Sequence, residues 1–129
     1  RYDVFHLSEA FLMGDMARIN RMLDGLKGEG EALVLVVWSL AEEIRLIKSL
    51  KEGALQGEHV PSMLKARRIW GKREQLLPGV VQRMGMPMID RALEMIANID
   101  KQSKGMMAKE MPQDPWDGLR RIGGLFSWK

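Results

Sequence analysis

The sequence contains no cysteine among its 129 residues. This absence excludes disulfide bridges, thiolate metal sites and a cysteine nucleophile. The two histidines, His6 and His59, lie far apart in the chain, so neither an HExxH motif nor a paired-imidazole metal site is present. The longest uncharged apolar stretch, residues 32–41, is too short to span a bilayer. We therefore expect no membrane span, and the opening residues do not have the pattern of a signal peptide.

Motifs that bind nucleotides or support nucleophilic catalysis are also missing. Neither GxGxxG nor GxxxxGK[ST] occurs, and there is no GxSxG nucleophile elbow. The acidic pairs Glu42–Glu43 and Asp114–Asp117 are better explained by a solvated helix face and a helix N-terminus than by general acid–base catalysis. His6 follows a helix start and is expected at the surface. We therefore expect no catalytic site, no cofactor and no metal ion in this chain.

The composition is that of a globular domain with its own hydrophobic core. Apolar residues make up 46% of the chain and charged residues 29%, and folding at this size hides roughly two thirds of the unfolded surface. The formal net charge of +3 permits a nucleic-acid partner without requiring one. β-branched residues are sparse, and no alternation of apolar and polar residues indicates a strand. The prediction is one all-α domain over residues 1–129, with six to seven helices around a long central helix.

Capping residues delimit the first two predicted helices. The first covers residues 3–13, from an N-capping Asp3 to Gly14, a residue type that accepts the left-handed conformation at a helix end. Asp15 caps the second helix, whose apolar residues recur at steps of three and four. The short connection between them predicts an antiparallel pair.

The third predicted helix is the longest and covers residues 31–52. Its first half, ALVLVVWSLA, is apolar around most of the circumference, whereas its second half is amphipathic. A helix that is apolar on all sides is typically buried. We therefore expect this helix at the centre of the fold, with its first half buried and Trp38 in the core.

Prolines mark the helices of the second half. Pro61 suits the first turn of a helix that reaches Arg67 or Trp70, and Pro78 is expected to start or kink a short helix that continues to residue 84. A well-patterned helix covers residues 87–105. Residues 113–116 precede a last helix, whose predicted inward face consists of Trp116, Leu119, Ile122 and Phe126.

Residues 65–73, KARRIWGKR, are called the basic segment below. Its cations attract phosphates, and an indole among them offers a face on which a base can stack, worth about 1–3 kcal/mol. The alternative is that Trp70 fills the core and the cations form an ordinary solvated face, and the pattern leaves both open. The candidate DNA-binding residues are Trp70, Arg67, Arg68, Lys72 and Arg73.

Two further groups of residues leave their role open. Trp116 and Trp128 fit either the core or an interface. The chain has 11 methionines, and those of the C-terminal half fit either a methionine-rich core or an adaptable partner surface. These methionines are Met84, Met86, Met88, Met106, Met107 and Met111.

An ordered series of motifs resembles the C-terminal domain of the delta subunit of bacterial DNA polymerase III, part of the sliding-clamp loader. Ala10, Gly14 and Asp15 match an Ala-x-x-x-Gly-Asp helix end, and a Leu-x-x-Glu-Gly closing follows at residues 26–30. In the long apolar helix that follows, Leu40, Glu43, Arg45 and Leu46 stand where the family usually has the pattern L..E.R.L. Further on, RRIW and IDKQSKG resemble the basic-plus-Trp segment and the Asp-x-x-x-Lys-Gly of the family.

The resemblance implies a helical collar domain, here a piece of a larger AAA+-class subunit. In that family the collar domains of delta, delta-prime and the gamma/tau subunits pack into a ring above primer–template DNA, in the cytoplasm. The family resemblance places Trp70 at an aromatic position that faces the primer–template junction. It also implies that the subunit contacts the sliding clamp through domains absent from this sequence, and that the parent complex is a DNA-directed DNA polymerase holoenzyme. Because its partners are different chains, the isolated domain is expected to be a monomer.

A second hypothesis comes from the residues alone. The chain is then a free-standing helical nucleic-acid-binding or regulatory protein that uses the basic segment as its contact. A gene that ends near this length would favour that hypothesis, whereas a longer gene with this segment at its end would favour the collar domain.

Overall fold

A computed structural model of the chain describes residues 2–108 and 110–128. Within these residues the chain folds into seven helices and no strands, which confirms the all-α prediction. No helix in these ranges is long and apolar enough to cross a membrane. The helices are α1 Val4–Met13, α2 Met16–Gly28, α3 Leu33–Leu55, α4 Val60–Ala66, α5 Gly71–Arg83, α6 Met86–Ser103 and α7 Pro115–Phe126.

The two predicted caps of the first helices are confirmed. The Asp3 carboxylate accepts hydrogen bonds from the backbone N–H groups of Phe5 and His6, and Gly14 ends α1 in the left-handed conformation with φ of 66°. Asp15 then accepts a hydrogen bond from the N–H of Arg18 at the start of α2. The chain turns back between these caps, and α1 packs against α2.

The core forms where α1, α2, α5, α6 and α7 pack around α3 and one another. The predicted inward face of α7 is fully buried, as are the aliphatic residues that repeat along α2 and α6. Phe11 and Phe126 meet edge to face, with ring centroids 5.7 Å apart. Each fully buried Leu, Ile or Phe contributes about 1.5–3 kcal/mol through removal of apolar surface from water.

The prediction that the first half of α3 is buried on all sides is wrong. Val36, Val37 and Leu40 do enter the core. However, Val34, Leu35 and Trp38 are about half exposed, and Trp38 keeps 59% of its surface in contact with solvent. Trp38 is therefore not a core residue. The helix carries two apolar stripes here, and the described residues cover only one of them.

The region around Pro78 also differs from the prediction. The predicted helix start at Pro78 is wrong, because α5 begins at Gly71 and runs through Pro78 to Arg83. Pro78 thus lies inside a helix, which is the position that the alternative prediction of a kink requires. Proline lacks the N–H that would bond to the carbonyl one turn earlier. The helix tolerates this loss because Leu77, Val80 and Val81, which flank Pro78, are buried in the core.

The residues whose role the sequence left open differ in burial: some lie in the core and others at the surface. Trp116 is buried, whereas Trp128 is half exposed and lies against Gly14, with the Arg83 guanidinium 4.5 Å from its ring centroid. Burial lowers the pKa of Arg83 from its usual value. Of the C-terminal methionines, Met84 belongs to the core, and Met86 and Met111 pack partly against it. Met88, Met106 and Met107 are exposed.

Candidate interaction surfaces

The turn between α4 and α5 directs Trp70 into solvent. The N–H of Ile69 donates to the carbonyl of Leu64 at 3.0 Å, and the Ile69 side chain packs against the core. Trp70 follows with an extended backbone, and successive side chains of an extended chain point in opposite directions. Trp70 is consequently 75% exposed, so the alternative in which it fills the core is wrong.

Two residues of this turn adopt left-handed backbone conformations. Gly71 has φ of 72° and Arg68 has φ of 58°. Left-handed backbone is costly for a residue with a Cβ. At Arg68 this conformation is stabilised by the backbone hydrogen bonds that close α4, including the bond from the N–H of Arg68 to the carbonyl of Lys65. The turn therefore presents Arg68 and Trp70 from a fixed backbone.

The other basic residues of the segment point to different places. Arg67 is exposed, and its guanidinium donates to the Ser49 hydroxyl at 2.6 Å. Arg67 and Arg73 line one groove beside α3, whereas Lys72 lines another between α1 and α2. The five candidate DNA-binding residues therefore do not form a single cluster.

Arg73 is engaged in an ion pair with a buried carboxylate. Its Nε and one terminal nitrogen each donate to Glu43 at 2.9 Å, a bidentate geometry that planar guanidinium groups favour. Glu43 is only 5% exposed, so the prediction that Glu42 and Glu43 share a solvated face is wrong for Glu43. The Arg73 guanidinium is therefore paired within the protein, and this ion pair links α5 to α3.

A cluster of exposed apolar side chains lies where α1 meets the first half of α3. It consists of Phe5, Val34, Leu35 and Trp38, and is called the apolar face below. Phe5 is 77% exposed. Phe5, Leu35 and Trp38 line one recess of about 320 Å³. Phe5 and Trp38 also border the groove of about 520 Å³ that contains Arg67 and Arg73.

The apolar pattern of the sequence did not lead us to predict this surface. The signal was present in α1, where Phe5 lies outside the inward stripe of Leu7, Ala10 and Phe11. In α3 the apolar residues of the first half occupy more of the circumference than one contact can cover. An apolar stripe without an intramolecular partner is the pattern of a contact surface.

The acidic and histidine side chains are dispersed among the residues that the structure describes. Among the described residues no three or more His, Asp or Glu side chains are grouped so that they could hold a metal ion. Asp114 caps α7 and receives the Lys27 ammonium at 2.8 Å, as expected for a helix N-terminus. His6 is exposed, 3.9 Å from the Asp3 carboxylate.

The sequence of this chain is similar to known proteins over nearly its whole length. Residues 4–123 match the family described as "Processivity clamp loader gamma complex DNA pol III C-term". DNA polymerase III subunit delta of Escherichia coli (strain K12) is 24% identical over 127 residues, which cover 97% of this chain and 35% of that protein. The chain thus spans about a third of the length of this relative. Because the family match extends over nearly all seven helices, the chain belongs to the family of C-terminal domains of the DNA polymerase III clamp-loader delta subunit.

Proposed function

We propose that this chain is the collar domain of a clamp-loader delta subunit. In this role it is a non-catalytic assembly module and one part of a larger AAA+-class subunit in the cytoplasm. It packs against the collar domains of the delta-prime and gamma/tau subunits and lies near primer–template DNA. The subunit reaches the sliding clamp through domains outside this sequence. The family match and the helical fold support this assignment.

The observation that carries the proposal is the apolar face. Exposed clusters of large apolar side chains are costly in water and commonly mark protein interfaces. Aromatic residues at the centre of such a cluster often dominate binding energy. Glu31, Glu42 and Arg45 border the recesses around Phe5 and Trp38, which gives the apolar centre a polar rim.

The occupant that fits this face is a helix of a sister subunit. The recess lies between α1 and the first half of α3, and an amphipathic helix can lay its apolar side into such a channel. Phe5 of α1 and Trp38 of α3 would then contact the bound helix from two sides. An interface of ordinary size buries on the order of 800 Å² on each partner. Because the apolar face consists of only four side chains, it would form the centre of such an interface and not the whole of it.

Reconstitution of the loader tests this assignment. The double variant Phe5→Ala/Trp38→Ala in the full-length subunit should lower its co-elution with the purified sister subunits at least tenfold. The matched control Leu55→Ala/Met107→Ala also removes two exposed apolar side chains and should assemble normally. Equal assembly by the two double variants would contradict the proposed face.

A second observation supports proximity to DNA. Trp70 is exposed on a rigid turn, with Arg68 and Lys72 nearby in sequence, and exposed aromatic residues among cations are typical of single-strand contacts. Trp70→Ala in the full-length subunit should leave the helical content and loader assembly unchanged and weaken primer–template binding about tenfold. Trp70→Phe should retain most of the binding, because a phenyl ring still stacks. Unchanged binding by Trp70→Ala would remove Trp70 from the DNA contact.

The oligomeric state separates the collar domain from a free-standing regulatory protein. Since the proposed partners are different chains, the isolated 129-residue domain should scatter light as a monomer. A stable self-assembled oligomer would show that the apolar face binds another copy of the chain, and would count against the collar assignment.

A further inference from the structure

A groove between α1 and α2 gathers basic residues from distant parts of the chain. Its lining consists of Tyr2, His6, Glu9, Arg18, Arg21, Met22 and Lys72. Arg18 and Arg21 lie one helical turn apart on α2 and therefore project on the same side. Lys72 enters from the first turn of α5, only two residues after Trp70. The groove has a volume of about 420 Å³, enough for one or more phosphate groups.

Among the residues that the structure describes, no carboxylate forms an ion pair with Arg18, Arg21 or Lys72 of this groove. Among the described residues the ion pairs involve Lys27, Arg45, Lys48, Arg73, Arg91, Lys104 and Arg120, together with His6. Within that part of the chain neither Arg18 nor Arg21 nor Lys72 has a carboxylate partner. The single acid in the lining is Glu9. Three unpaired cations against one carboxylate leave a net positive groove.

The floor of the groove is fixed by packing. The Tyr2 ring lies against Gly25, where a Cβ on residue 25 would collide with the ring. Met22 of the lining is itself buried. Because the walls belong to helices and the floor is packed, the backbone positions that carry the cations are set before a ligand binds.

We propose that this groove binds the phosphodiester backbone of the nucleic-acid strand whose base stacks on Trp70. The proposal rests on the proposed function, because it takes the DNA contact of Trp70 as its starting point. Arg18, Arg21 and Lys72 neutralise successive phosphates as the strand leaves the indole and crosses the start of α5 toward α2. Such contacts fix the position of a strand without reading its sequence.

Salt dependence of DNA binding by the full-length subunit tests this path. An oligothymidine strand with a fluorescent label serves as the probe, and anisotropy gives the affinity. The double variant Arg18→Gln/Arg21→Gln should weaken binding about fivefold to tenfold. It should also reduce the slope of log affinity against log salt by about 1.4, at roughly 0.7 for each phosphate contact to a single strand.

Two variants control for net charge and for folding. Lys101→Gln/Arg121→Gln removes the same two charges from exposed positions on α6 and α7 that do not line the groove, and should leave the slope unchanged. Arg18→Lys/Arg21→Lys keeps the charges and should retain most of the affinity. A loss of binding by the lysine variant equal to that of the glutamine variant would overturn the charge-based proposal.

The remaining outcomes separate this inference from the proposed function. If Trp70→Ala weakens binding while Arg18→Gln/Arg21→Gln behaves as its charge control, the groove is overturned and the Trp70 contact stands. If only the groove variant weakens binding, the groove stands and Trp70 is not the stacking residue. No binding by the unmodified subunit would overturn both. Displacement of the strand by inorganic phosphate at matched ionic strength would indicate a free-phosphate site and overturn the strand path.

Discussion

The two halves of α3 differ in apolar content and in how much of their apolar surface the chain itself buries. In the second half, Ile44, Ile47 and Leu50 are all buried, and the polar residues between them face outward. In the first half one apolar stripe is buried, whereas Val34, Leu35 and Trp38 remain half exposed. The amphipathic half is complete within this chain. The other half has apolar surface left for a partner, because it carries more apolar residues than its contacts within the chain cover.

The largest expected effect is in the buried half. Ile47→Ala removes a side chain that has no solvent exposure and leaves a cavity between α3 and its neighbours. Such a change should lower the free energy of unfolding by about 3 kcal/mol. Urea unfolding followed by circular dichroism measures this value. A loss as small as that of an exposed position would mean that the second half of α3 is not core.

A smaller loss is expected where α5 is held to α3. Arg73→Gln leaves the buried Glu43 carboxylate without its cation and should cost about 2 kcal/mol, because a buried charge loses its partner. Arg45→Gln is the matched control on the solvent side, where Arg45 pairs with Glu42 and both are largely exposed. That change should cost less than about 0.5 kcal/mol. Similar losses in the two variants would contradict a structural role for Arg73.

The exposed half of α3 should respond less than either buried site. Trp38→Ala should lower the free energy of unfolding by about 1 kcal/mol, since over half of the indole is already in water and alanine favours the helix. Urea unfolding alongside Ile47→Ala gives the direct comparison. A loss as large as that of Ile47→Ala would place Trp38 in the core after all.

The smallest effect is a pH-dependent one at the start of α7. The Lys27 ammonium and the Trp116 N–H hold the pKa of Asp114 below its usual value. A carboxyl whose pKa is lowered by folding stabilises the fold above its unfolded pKa, and this contribution is lost as the pH falls through the folded pKa. Asp114→Asn keeps a capping oxygen and removes only the charge. It should be slightly less stable than the unmodified chain at neutral pH, by less than about 1 kcal/mol.

The pH profile checks this explanation. The stability difference between Asp114→Asn and the unmodified chain should persist from neutral pH down to about pH 4 and shrink below it. Thermal unfolding across that range measures the difference. A difference that does not change with pH would assign the effect to the cap geometry instead of the charge.

Much of the fold follows from local sequence signals. Asp3, Gly14, Asp15 and Asp114 act through hydrogen bonds to backbone a few residues away, so their roles can be predicted without knowledge of the tertiary structure. The inward face of α7 follows in the same way from its spacing. A helix start at Pro78 was wrong because α5 continues through it with Leu77 and Val80 buried, and that packing is not visible in the local pattern.

The surfaces were harder to predict because exposure depends on what other helices cover. The sequence places Trp38 and Val36 in the same apolar run, yet only the packing of α3 against other helices decides which one is buried. Glu43 shows the opposite case, because it is charged and yet buried. Its partner Arg73 lies thirty positions away in the chain, so the sequence around Glu43 does not reveal the ion pair. The groove that contains Arg18 and Arg21 could not be predicted from α2 alone, because it also requires Lys72 from α5.

Labelling at the first half of α3 tests the central claim most directly. Because this domain has no cysteine, Val34→Cys gives it one thiol, on the apolar face, and Leu55→Cys gives it one at an exposed position at the other end of α3. Mass spectrometry measures the rate at which a maleimide alkylates each thiol in the full-length subunit, free and in the assembled loader. Assembly should slow labelling at position 34 at least tenfold and leave position 55 unchanged. Equal labelling of position 34 in the free and assembled states would show that the apolar face is not an interface.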